Sequence, residues 1–221
     1  LQDFRKMLGK GGLVLAIAGD IETASARAAA EKAFGKLDTG TTAAAKQSNT
    51  KRPNTSEKLI ALADKANIDV LLGASLALTA HHRLYHPMKV LTEMLGGGFS
   101  SHLMQTIRER DGLTYGVYSS LEGLAAGADG YFKIWATFSP ERYAESVAKL
   151  RAEVRVFFSQ GLTEAARTKR QEEMAGSYLV ALSTTRSLAA TLHVLGANDF
   201  DLSYLTEYPD IIRTVSLADL K

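Results

Sequence analysis

A helix that must stop, turn and restart within a few residues constrains this chain more than any other feature. The stretch is GGGFSSHLMQTIRERDGLTY, Gly96 to Tyr115. Upstream, Pro87 suits a first helical turn, and Met88, Leu91, Met94 and Leu95 supply one apolar side. Gly96 terminates that helix. Ser100 or Ser101 can cap the next one, SHLMQTIRERDG, which Gly112 closes. LTYGVYSSLEGLAAGADGYFKIWATF then reads as two strands around a glycine-containing turn, a hairpin. The feature admits a phosphate-binding loop, plain structural punctuation, or half of an active site.

Several chemistries drop out on residue type. With no cysteine in 221 residues, disulfides, thiolate metal sites and cysteine nucleophiles are excluded, and cytosol and periplasm suit the chain equally. A formal charge of +2 gives no electrostatic reason to expect nucleic acid or an anionic membrane. The longest apolar run, Val70 to Ala80, is well short of the ~20 residues that span a bilayer. GGGFSS lacks the G-K-[ST] ending of a phosphate loop, and no G-x-S-x-G elbow presents a serine nucleophile. HRLYH (His82 to His86) has the outline of a zinc helix, but Arg83 and Tyr85 stand where a general-base glutamate is needed. Pro87 also disfavours helical geometry at His86, and the closest downstream carboxylate is Glu93. No metal ligands are assigned to this chain.

Elsewhere, GLVLAIAGD (Gly12 to Asp20) reads as a buried strand, with Asp20 capping an alanine-rich helix that Gly35 closes. Gly19 alone stands at that turn, which is too little for a dinucleotide site. Asp38 to Ser56 is a polar surface loop or linker. KLIALADKANIDVLLGASLAL supplies strand-like material interrupted near Ala63 to Asn67. Ser139 and Pro140 begin a helix whose Tyr143, Val147, Leu150, Val154, Phe157 and Phe158 keep helical spacing up to Gly161. Thr163 begins another, and Thr184 or Thr185 a third reaching about Gly196. Helices interleaved with strands and a hairpin give an α+β fold, a largely antiparallel sheet packed by helices. The opening LQDFRKMLGKGG and the stop at SLADLK suggest a piece of something longer.

Pattern alone leaves Arg108 and Tyr115 open. Leu103 and Ile107 form one apolar row of the helix, so Arg108, beside Met104, falls at the stripe's edge, and Arg110 and Glu109 fall in solvent. Tyr115 alternates with Leu113 and Val117 and therefore points with the apolar side of its strand. A surface ion pair for Arg108 and a half-buried Tyr115 satisfy these patterns as well as a functional pair does.

LGGGFSSHLMQTIRERDGLTYGVYSS resembles the C-terminal-type domain of the M16, or pitrilysin/insulysin-like, zinc metallopeptidases, which include the mitochondrial processing peptidase. LVLAIAGDIETASARAAAEKAFGKL is similar to the opening of that domain, and the resemblance covers most of the chain as one domain, residues 1–221. It implies two related halves enclosing a chamber, one carrying H-x-x-E-H and zinc, the other an R-x6-Y pair. Arg108 and Tyr115 match that spacing, and H-x-x-E-H is absent. The resemblance thus implies the non-zinc half: Tyr115 and Arg108 are expected to be catalytic and to bind substrate, Tyr115 stabilising the tetrahedral intermediate and Arg108 holding a substrate carbonyl, with Gly96, Gly97 and Gly98 expected among the substrate-binding residues. Zinc is expected in the full assembly on another domain or subunit, the partner is that zinc-bearing half, and the substrate is a peptide or unfolded protein. Alone, the chain is expected to be inactive. The alternatives are a non-catalytic scaffold of the same fold, resembling core subunits of respiratory complexes, and an unrelated α+β ligand-binding domain.

Overall fold

The computed structural model describes residues 13–37, 55–62, 64–124 and 130–221. Most of the expected linker, Asp38 to Ser56, and the tip of the expected hairpin lie outside the described residues. The sheet comprises β1 (Ile68–Ser75), β2 (Val117–Glu122) and β3 (Tyr131–Phe138), in the order β1-β3-β2 and antiparallel throughout. The expected hairpin is β2 with β3. Register places Val70 and Val117 on either side of Ala136, with Ile134 and Phe138 at alternate positions on the same inner face. All five are buried. Phe138, 1% exposed, stabilises the fold by about 2–3 kcal/mol through removal of its ring from water.

The helices are α1 (Thr23–Phe34), α2 (Tyr85–Gly96), α3 (Met104–Arg110), α4 (Tyr143–Val156), α5 (Glu164–Ala181), α6 (Thr185–Ala197) and α7 (Tyr204–Thr214). α2 and α3 pack on β2, and α4, α5 and α7 complete the helical layer over a shared core of Val90, Leu95, Leu103, Ile107, Leu150 and Ile212. Buried Gln171 ties α5 to the end of α7, donating to Ile212 O at 2.6 Å and Val215 O at 2.8 Å. Thr163 and Thr184 cap α5 and α6 as expected, accepting from Ala166 N and Ser187 N.

Three local expectations are corrected. Residues 13–18 are not a buried strand: Leu13, Leu15 and Ile17 are 46–48% exposed, and no ladder pairs this run among the described residues. Asp20 does not cap α1, whose N-cap is Glu22 without a side-chain bond. The residues upstream of β1, 55–62, are likewise exposed and unpaired, so β1 alone of that stretch joins the sheet.

Within HRLYH, α2 begins at Tyr85, so His86 lies in its first turn and His82 before it. His82 Nδ1 accepts from Leu84 N at 3.1 Å, and His86 Nε2 lies 2.9 Å from the Tyr204 hydroxyl. Burial and the neighbouring Lys89 charge push His86 down to about 4.

α2 and β2 meet at a tight seam. A Cβ on Gly96 would lie 2.6 Å from Ser119 N, while Ser119 Oγ donates to Thr92 O at 2.7 Å. Helix propensity alone would make Gly96→Ala stabilising by up to ~1 kcal/mol. The clash with backbone reverses the sign, and Gly96→Ala is expected to destabilise by about 2 kcal/mol in urea unfolding. A stabilised variant would show that the seam is looser than described.

Candidate functional site

Tyr115 departs from the alternation expected of it. Leu113 and Val117 are buried, but Tyr115 is 92% exposed. The cause is a side-chain clamp at Thr114. Its Oγ1 accepts from Gly116 N at 3.1 Å and lies 2.5 Å from Thr137 O and 2.9 Å from Gly116 O, so its single proton is shared. This bond within the chain kinks it before β2 starts and turns the phenol outward. Gly116 then passes under the rings of Tyr118 and Trp135, which a Cβ would approach to 3.2 and 3.3 Å.

Arg108 occupies the edge of the buried stripe, as its row predicts, with its side chain 32% exposed. Its guanidinium lies over the Phe99 ring, 5.2 Å from the centroid, and 3.5 Å from Glu109 Oε1. α3 is wound as a π-helix, with Asp111 N donating to Thr106 O at 3.0 Å. Gly112 closes it with φ +59°, a conformation open to glycine at little cost. Arg108 and Tyr115 line one open cleft of about 400 Å³, with Asn67, Thr114, Phe138 and Arg142. Both residues thus border one space.

The glycines sit elsewhere. Gly96 is pressed on Ser119, Gly97 lies under the Glu93 carboxylate, and the nearest atom to a Cβ on Gly98 would be Arg170 Nη1, at 3.6 Å. None of the three lines the Arg108–Tyr115 cleft. Neither serine caps α3 through its side chain: Ser101 Oγ donates to Gly98 O at 2.5 Å, and Ser100 Oγ donates to Glu173 at 2.9 Å.

Arg110 is not simply solvated. It forks Asp111 at 2.7 and 2.9 Å and reaches Glu153 on α4 at 2.8 Å. Glu153, 6% exposed, also meets His102 at 3.1 Å and Lys149 at 3.7 Å. Burial alone would raise its carboxyl, and the hydrogen bond and charge of Arg110, with His102 and Lys149, outweigh that and hold it below the ordinary range. This network pins α3, and hence Arg108, to α4. Sequence reasoning missed it; the only signal was Lys149 four residues before Glu153 on one helix.

No three His, Cys, Asp or Glu side chains converge to hold a metal among the described residues. His82 and His86 are engaged with Leu84 and Tyr204 instead. The described side chains therefore do not fit zinc.

The profile described as Peptidase M16 inactive domain matches residues 1–174. The chain belongs to the M16 peptidase family. An uncharacterized zinc protease of Mycobacterium leprae is 30% identical over 183 residues, 81% of this chain and 40% of that protein. A non-peptidase homolog of Helicobacter pylori is 37% identical over 78 residues, 34% of this chain and 17% of that one. Among solved structures, the M16 inactive domain from Pseudomonas fluorescens aligns with TM-score 0.76 and 25% identity, covering 91% of this chain and 47% of that chain. The chain thus spans about two fifths of the M. leprae protein's length (40%). The M16 inactive-domain fold is the α+β architecture described above, antiparallel sheet under helices. No helix among the described residues is long and apolar enough to cross a membrane.

Because the Glu153 carboxyl is held below its unfolded value of 4.5, its stabilisation is present above about pH 4.5 and is lost as pH falls through the lowered value. Glu153→Gln is expected to cost about 3 kcal/mol at pH 7. Measured by urea unfolding from pH 7 to 3, the gap to the parent protein should close with acidification. A gap independent of pH would remove the charge network from the account of α3.

Proposed function

We propose that this chain is the substrate-clamping, metal-free half of an M16 zinc metallopeptidase acting on peptides or unfolded proteins. Zinc belongs to another domain or subunit, which faces this one across the substrate. The observation that carries the reading is the shared cleft: Arg108 and Tyr115, brought together from a helix and a pre-strand kink, line the same open space. In this reading the Tyr115 hydroxyl donates to the carbonyl oxygen of the scissile peptide as negative charge develops on it. Arg108, permanently charged and multiply donating, holds a neighbouring backbone carbonyl and fixes register. Gly96, Gly97 and Gly98 act on substrate indirectly, by setting where α3 begins. The same geometry explains why Tyr115 must be exposed: a donor sealed in the core could not reach charge created by a partner half.

A scaffold role is the second reading, favoured by the H. pylori relative that bears the name non-peptidase homolog. Turnover by the chain with its zinc-bearing partner separates the two. Tyr115→Phe should lower kcat about 100-fold, corresponding to about 3 kcal/mol for one oxyanion donor, while assembly is preserved. Arg108→Lys should raise KM more than it lowers kcat, because charge is kept and the planar fork is lost. Turnover untouched by Tyr115→Phe would leave the scaffold reading standing.

A further inference from the structure

We infer that a second cleft, bordered by Ser100 of the glycine turn, receives a carboxylate of the bound peptide, with Arg170 and Lys169 as its cationic contacts. This deepens the clamping function and rests on it. The cleft holds about 230 Å³ between the turn that follows α2, the residues just after α4, and α5, and is lined by Ser100, His102, Phe157, Lys169, Arg170 and Glu173 among others. At its base lies Arg170, a charged residue only 7% exposed. Its Nη2 donates to Ser100 Oγ at 3.0 Å and its Nη1 meets Glu173 Oε2 at 3.1 Å, whereas Nε has no partner. A buried guanidinium with an unsatisfied donor is costly to keep without a ligand or a structural return.

Charge counting gives the sign of the ligand. Glu173 alone among the lining residues is a carboxylate, and it already serves Ser100, Arg170 and, at 4.0 Å, Lys169. Two cations therefore face one anion, Arg170 held in place and the 69% exposed Lys169 side chain free to turn inward. His102 is occupied by Glu153. Glu93, which also feels Arg170, has Lys89 beside it and sits outside the lining. One monoanion balances the cleft, and Phe157 and Met94 add an apolar wall for the side chain next to it.

The two clefts are joined through consecutive residues of one turn. Phe99 lies under Arg108, and Ser100 bonds Arg170 and Glu173. Gln105 Nε2 clamps that turn to α3 by donating to Phe99 O at 2.7 Å. A peptide lying across Phe99 from the Tyr115 cleft thus reaches Arg170 with either its terminal carboxylate or an acidic side chain.

The test is equilibrium binding of fluorescent decapeptides to the full-length protein, with a chelator present to prevent cleavage. The probes are one peptide with a free C-terminal carboxylate, its C-terminal amide, and the amide with an added glutamate. At least one carboxylate-bearing peptide, the free acid or the glutamate amide, should bind at least 10-fold more tightly than the plain amide. Arg170→Met should abolish that preference, and Lys169→Met, at an exposed position, should reduce it without any risk to folding. Recovery of tight binding by the glutamate peptide assigns the carboxylate to a side chain, and no recovery assigns it to the terminus. Equal affinity of all three peptides, binding by none of them, or a preference that survives both substitutions overturns the inference. Turnover lost in Tyr115→Phe without any carboxylate preference would leave the clamping function intact and remove only this second cleft.

Discussion

The approach of α2 to β2 at Gly96 sets the geometry on which the rest depends. With no side chain at Gly96, the end of the helix descends onto Ser119, and Ser119 Oγ closes the contact on Thr92 O. The chain must then leave the sheet surface and restart as α3 within a few residues. That short span fixes where Phe99 and Ser100 stand, and so which arginine each touches. A larger residue at this seam would lift α2 and shift both clefts together, because packed interfaces of this density do not deform gradually.

Much of this was legible in sequence because it follows from local rules. Gly96 and Gly112 end their helices, Thr163 and Thr184 cap theirs, and Leu103 and Ile107 are buried with Arg108 at the edge. Tyr115 was misplaced for an equally physical reason. Period-two alternation assumes a regular strand, and Thr114 breaks it by bonding Gly116 and Thr137. Threonine followed by one residue and then glycine was visible in LTYGV, but Thr137 comes from β3, which no local pattern supplies.

Residues 13–18 and Arg170 mark the limits in opposite directions. An apolar run reports a tendency to be covered, and GLVLAIAGD shows it, yet Leu13, Leu15 and Ile17 stand exposed because pairing depends on what lies alongside. Arg170 sits in RTKRQEEM, a charged segment that reads as a solvated helix face. It is buried because the glycine turn and Ser100 close over it, a long-range fact with no sequence signal. Glu153 escaped notice likewise, since its partners Arg110 and His102 are more than forty residues away.

In the proposed function, Arg108 and Tyr115 act on one reacting peptide rather than as separate surface features. A double-mutant cycle with Arg108→Leu and Tyr115→Phe, read as kcat/KM of the zinc-bearing assembly, tests it most directly. Two groups acting on one substrate should show a coupling energy of about 1 kcal/mol or more. Losses that simply add, within about 0.3 kcal/mol, would contradict a common role.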